Sequence, residues 1–209
     1  MSKKIKYLVA PNPLDRYLTK EINGFDESFK KDKEFFLKAV KKNYLALKDA
    51  DDSLKKDKKF ILEAVKLNGF ALGTADDSLK KDKEIVLEAV KQNAYALQYA
   101  DKSLKKDRKF ILKAVRQSGA ALACADKSFK KDRKIVTAAV KENPDALMYA
   151  HKSLKKDRKF ILKAVKHGAA LMWVNKSFKK DKEIVLEAVK QEGLELAYAD
   201  KSFRKDKKI

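Results

Sequence analysis

The stretch Asp57-Lys58-Lys59-Phe60-Ile61-Leu62-Glu63-Ala64-Val65-Lys66-Leu67-Asn68-Gly69-Phe70-Ala71-Leu72-Gly73-Thr74-Ala75-Asp76-Asp77-Ser78-Leu79-Lys80-Lys81 decides the fold. Asp57 is a good N-cap, because its carboxylate accepts from the orphan amides of a following first turn. Phe60, Ile61, Ala64 and Val65 recur at helical spacing, and Leu62 widens that stripe. Asn68-Gly69 interrupts it: Asn ends one helix or caps the next, and Gly supplies a left-handed turn between them. A shorter helix carrying Phe70, Ala71, Leu72 and Ala75 comes next, then a polar connector anchored by Leu79. The expected unit is a helix of about 11 residues, a turn, a helix of about 7 and a capped connector.

This text is written over and over. Lys-Lys-Asp or Arg-Lys-Asp ends at Asp32, Asp57, Asp82, Asp107, Asp132, Asp157, Asp181 and Asp206, every 25 residues except one interval of 24. Ala-Val pairs keep the same phase at Ala39, Ala64, Ala89, Ala114, Ala139, Ala164 and Ala188. One such unit cannot bury its own apolar face, so neighbours must share a core. The sequence therefore predicts an all-α solenoid of about seven 25-residue two-helix repeats, with a single repeat domain over 30–209 and a terminal extension or cap over 1–29. Helix openings alternate between Phe60-Ile61 and Ile85-Val86 and continue so to Ile184-Val185, the mark of a copied two-unit block. The sixth unit is one residue short at Val165-Lys166-His167-Gly168, which calls for a tighter turn. A truncated unit opens at Asp206, so an uncapped face there suggests end-to-end self-association.

The run from Asp82 to Asp101, with Glu84-Ile85-Val86-Leu87, Ala89-Val90 and Ala96-Leu97-Gln98-Tyr99-Ala100, resembles a family of bacterial and protist tandem repeats known as a domain of unknown function. The resemblance covers about residues 30–209 and departs at Thr74, Cys124 and Trp173, where Tyr is usual. It implies helical repeats and carries no activity, cofactor or catalytic residue.

Composition narrows the rest. The 209 residues hold 51 Lys and Arg against 30 Asp and Glu, a net charge of +21, with one Cys and two His. A disulfide scaffold and a Cys/His zinc site are excluded by that count. The apolar run Tyr7 to Ala10 is too short for a signal-peptide core, and no stretch reaches the roughly 20 residues of a membrane helix. A cytoplasmic setting is the expectation, and a chain exported without a cleaved signal carries the same features. Cys124 and His151 are conceivable as a nucleophile–base pair, but they stand where other units place Tyr or Thr and Asp, which reads as drift within the repeat. The capping aspartates, flanked by lysines, do not read as a metal ladder. No catalytic, cofactor or metal site is expected.

Two features point to binding. Residues 101–174 carry 20 basic and seven acidic side chains. There Lys105, Lys106, Arg108 and Lys109 recur as Lys130, Lys131, Arg133 and Lys134, then as Lys155, Lys156, Arg158 and Lys159, which repetition turns into a basic stripe fit for polyanions. The least repetitive column holds Tyr99, Tyr149, Trp173 and Tyr198. It is either a reading face, since aromatics along a basic surface suit single-stranded nucleic acid, or core between adjacent second helices. The sequence favours core, because Ala lies on both sides. Its best functional reading is a non-enzymatic scaffold for a protein partner, with nucleic acid or an anionic surface as the alternative.

Overall fold

The computed structural model describes residues 30–204, which divide near Leu104 into two compact units. The residue 1–29 extension and the truncated unit at Asp206, with the self-association expected of it, lie outside the described residues. The fold is an all-α repeat solenoid, with each repeat stacked on the next inside its unit and no strand among the described residues.

The first unit contains α1 (Lys33–Lys42), α2 (Lys58–Leu67) and α3 (Lys83–Gln92). The second contains α4 (Arg108–Gln117), α5 (Arg133–Glu142), α6 (Arg158–Lys166) and α7 (Lys182–Gln191). Each begins on its aspartate: Asp57 Oδ1 accepts from the amides of Lys59 and Phe60 at 2.9 and 3.2 Å, satisfying donors that no helix can satisfy internally. In α2 and α4 the stripes Phe60, Ile61, Ala64, Val65 and Phe110, Ile111, Ala114, Val115 are buried.

The second helix of every described repeat but the sixth is a six-residue 3-10 helix, not a seven-residue α-helix: Tyr44–Asp49, Gly69–Thr74, Ala94–Tyr99, Gly119–Cys124, Pro144–Tyr149 and Gly193–Tyr198. Side chains three apart eclipse in this geometry, so Gly69 and Leu72, or Ala94 and Leu97, point inward together and are buried. At Gly69 that first residue must be small. A Cβ on Gly69 would lie within 3.0 Å of the Ala89 carbonyl oxygen on α3. Gly69 is therefore required by close approach, not by the left-handed turn expected of it, since Gly168 (φ 87°) is the one positive-φ residue described. Asn68, expected to end one helix or to cap the next, does both: its backbone amide donates to the Ala64 carbonyl and closes α2, and its Oδ1 accepts from the Phe70 amide at 3.0 Å. In the short sixth repeat Gly168 makes the tighter turn, and the 3-10 segment shrinks to Leu171–Trp173.

Connectors are tied to connectors by backbone hydrogen bonds 21 residues apart. In the first unit the amides of Asp51, Asp76 and Asp101 donate to the carbonyls of Lys30, Lys55 and Lys80; in the second, Asp126, His151 and Asp200 donate to Lys105, Lys130 and Lys179. Their conformation alternates. Asp52–Lys56, Lys102–Lys106 and Lys152–Lys155 are short α-helices that bury Leu54, Leu104 and Leu154. Connectors leading to Ile85, Ile135 and Ile184 are turns or 3-10, with Leu79, Phe129 and Phe178 only half-buried.

Candidate functional site

The basic stripe lies wholly in the second unit, and its twelve residues separate into three classes. The arginines at the first helical position reach to the capping aspartate of the next repeat. Arg108 Nε donates to Asp132 Oδ2 at 2.8 Å, Arg133 pairs with Asp157, and Arg158 bridges Asp181 and Glu183 at 2.6 Å each. Arg133 also lies over the Phe160 ring, 5.5 Å from its centroid. Lys33–Asp57 and Lys58–Asp82 repeat the arrangement in the first unit at 2.5 and 2.8 Å. A cation near a helix N-terminus opposes the dipole; here that cation is engaged by a neighbour's cap.

Lysines of the second class fold inward. Lys130 Nζ donates to the Ala123 carbonyl and Lys155 Nζ to the Met148 carbonyl, each at 2.7 Å. Burial pushes the Lys155 ammonium below its ordinary value. Lys105, the equivalent side chain one repeat earlier, is half-buried as well. These contacts place the inner edge of the stripe beside the ends of the 3-10 helices. The third class is Lys106, Lys109, Lys131, Lys134, Lys156 and Lys159. All six are exposed and form no ion pair among the described residues.

The aromatic column occupies the last residue of each 3-10 helix. Tyr99, Tyr149 and Trp173 are half-buried and Tyr198 is exposed, so the column is neither deep core nor an open face. In the first unit Tyr99 packs edge-on against Phe70, with centroids 6.1 Å apart, and its hydroxyl meets that of Tyr44 at 3.4 Å. That hydrogen bond, with burial, pushes the Tyr44 phenol up to about 12. Gly73 makes room for the Tyr99 ring, which a Cβ would meet at 3.0 Å. In the second unit the Trp173 indole Nε1 donates to Asp145 at 3.0 Å. Exposed Met148 and Met172 lie in the neighbouring column.

His151 replaces the usual aspartate as a connector cap. Its Nδ1 accepts from the Ser153 amide at 3.2 Å, which only the unprotonated nitrogen can do. Burial and the nearby Lys131 and Lys152 hold its pKa below the ordinary histidine value. Cys124 is half-buried at the end of its 3-10 helix. Among the described residues no group of three or more His, Cys, Asp or Glu side chains is placed to hold a metal ion. No helix described is long and apolar enough to cross a membrane.

One site escaped the sequence reading. A groove of about 690 Å³ opens on the second unit, with Leu112, Thr137 and Ala138 in its floor and Arg116, Lys134, Lys141 and Lys163 around it. It lies over a single departure from the repeat. Six of the seven long helices carry Leu followed by Lys or Glu at this point, as in Leu112-Lys113 and Leu162-Lys163; α5 alone has Thr137-Ala138. That break was visible in the repeat register, but only the packed helices show that it lies in a groove among basic side chains.

The comparisons with known proteins agree with this architecture. The profile of Domain of unknown function (DUF4116) matches residues 20–55, 57–105, 107–155 and 157–204. The chain belongs to this family. Each DUF4116 match from Asp57 onward opens on a capping aspartate before a Phe-Ile helix and spans two of the 25-residue units, so the family's repeat is the two-unit block. No curated protein and no solved structure matches the chain.

Proposed function

We propose that the chain is a non-catalytic helical-repeat scaffold that binds an acidic protein surface along the connector edge of its second unit. The observation that carries this reading is the set of six exposed lysines left over once the arginines and the inner lysines are assigned to internal partners. Lysine ammoniums are mobile point charges that attract carboxylates without demanding fork geometry. Phosphate and base recognition leans on arginine forks and on aromatic platforms. Here Arg108, Arg133 and Arg158 are committed to carboxylates, and Trp173 is bound to Asp145. Both points favour protein over nucleic acid. The same six lysines support a second reading, in which a single-stranded nucleic acid neutralises them by counterion release.

The triple variant K106E/K131E/K156E tests both. All three side chains are exposed. Its affinity for a glutamate-rich polypeptide is expected to fall at least about tenfold, as like-charge juxtaposition requires. Unchanged affinity overturns the proposal. Tighter binding of a homopolymeric single-stranded DNA than of the polypeptide, abolished by the same substitutions, transfers the site to the second reading.

A further inference from the structure

We infer that the groove at Thr137-Ala138 is the specificity site of this scaffold, taking an acidic peptide segment that carries an apolar anchor side chain. This inference rests on the scaffold reading and adds to it a second, chemically distinct contact.

Helix α5 lacks the surface pair that its neighbours carry. A Leu at position 137 and a long side chain at position 138 would continue the surface that α4 and α6 present; Thr and Ala leave it hollow. The hollow is lined below by the Leu112 side chain, the Thr137 methyl-bearing side chain and Ala138, all half-buried. Water gains little from such a floor, and an apolar group placed there gains the transfer free energy of its buried area.

The rim decides the charge of the occupant. Arg116 on α4, Lys134 and Lys141 on α5 and Lys163 on α6 surround the hollow, all exposed and without an ion pair among the described residues. The one carboxylate in the lining, Glu142, accepts from the Gly119 amide and keeps its charge, which leaves the lining with a clear positive excess. Arg133 is held by Asp157 and by the Phe160 ring. Four free cations around an apolar floor complement a segment with carboxylates flanking one apolar residue. A nucleic acid would find the cations but no aromatic face to stack on, since the groove holds none.

Two synthetic peptides test this against the whole chain. One is a glutamate-rich peptide with a central Leu; the other has Ala in place of that Leu. Wild type is expected to bind the Leu peptide roughly tenfold more tightly, the discrimination a pocket gains from a few methylenes. T137L/A138K installs the Leu-Lys pair of the flanking repeats and fills the hollow. It should bind both peptides equally while keeping affinity for the Ala peptide. Equal binding of the two peptides by wild type, or a preference that survives in T137L/A138K, overturns the groove and leaves the scaffold reading standing. Failure of wild type to bind either peptide overturns both. K141Q/K163Q alters only exposed side chains and should weaken the Leu peptide at least about threefold through lost charge; unchanged affinity overturns the groove independently. Displacement of the Leu peptide by a single-stranded RNA of equal charge that binds more tightly assigns the groove to another ligand class and overturns the proposal.

Discussion

Arg108 and Asp132 stand one repeat apart and meet at 2.8 Å, while the same Asp132 carboxylate caps α5 through the amides of Lys134 and Ile135 at 2.9 and 3.1 Å. One side chain thus starts its own helix and fastens the preceding repeat to it. Because Arg108 sits at the first position of α4, the next residue along from the Asp107 cap, the device reproduces itself with the period of the sequence.

The two halves of that device differ in weight. Asp132→Ala removes the cap and the pair together and is expected to cost about 1–2 kcal/mol. Arg108→Ala removes only an exposed pair and should cost less than about 1 kcal/mol. Urea denaturation of the two single variants and the double variant measures both, and a larger loss for Arg108→Ala would contradict the assignment.

Glycines separate by what they face. A Cβ at Gly119 would fall within 3.0 Å of the Ala139 carbonyl oxygen, which is backbone and cannot swing away. Gly119→Ala is therefore expected to destabilise by roughly 1–3 kcal/mol, the range of overpacking. At Gly193 nothing lies within 4 Å. Gly193→Ala should be neutral or stabilising by about 0.4–1 kcal/mol, since it mainly restricts the unfolded chain. Thermal melting of the pair shows the contrast.

Glutamates reach back to 3-10 helices whose caps make no side-chain bond. Ser118 makes no side-chain cap bond, and the Gly119 amide, one residue before the amide that Asn68 takes in its own repeat, donates to Glu142 of the next repeat. In the shortened sixth repeat Ala170 offers no side-chain oxygen, and the Leu171 amide donates to buried Glu195 at 2.6 Å. Other repeats place Ala at the Glu195 position. Glu195→Ala nevertheless should destabilise by about 1–3 kcal/mol, because it strands a buried amide. Hydrogen exchange at Leu171 should accelerate in that variant; unchanged protection would show that the bond is dispensable.

Stability should fall in two steps as pH drops. Burial, with Lys141 and Lys163 beside His167 and Lys131 and Lys152 beside His151, holds both imidazoles below their ordinary pKa. A depressed base takes its proton first in the unfolded chain, so stability declines once pH falls below roughly 6.5. The Asp181 carboxyl is held low by Arg158, and Asp157 by the Phe160 amide and then Arg133. At Asp132 burial raises the carboxyl, and Arg108 with the Ile135 amide outweighs it. Stability from these groups is present above about pH 4 and lost as pH falls through their lowered values. Denaturant midpoints from pH 8 to 2 should show both limbs. His151→Asn/His167→Asn should erase the upper limb alone, and persistence of that limb would exclude the histidines as its source.

Much of this was legible before any coordinates. The capping roles of Asp57 and Asn68 come from side-chain oxygens at fixed offsets from apolar stripes. The inward set Phe60, Ile61, Ala64 and Val65 comes from helical periodicity alone, as does the tightened turn at Gly168 from a missing residue. Other features were hidden, for identifiable reasons. The hexapeptide Asp-Asp-Ser-Leu-Lys-Lys is identical at 51–56 and 76–81, yet the first is α-helical with Leu54 buried and the second a turn and 3-10 segment with Leu79 half-buried. Local propensity is the same in both, so the choice falls to the helix downstream, which opens on Phe60-Ile61 in one case and Ile85-Val86 in the other, and to the side chains packed against the connector.

The order of caps, the repeat boundaries, the inward stripe and the excess of lysine were settled by residue type and spacing, because those depend on interactions within one or two helical turns. Which cations remain free, why Gly69 must be small and where Thr137-Ala138 leaves a hollow were settled by one repeat lying on the next. Arg108 is neutralised by a carboxylate 24 residues away, and Gly69 is confined by a carbonyl 20 residues away. Such distances along the chain become contacts only when helices stack.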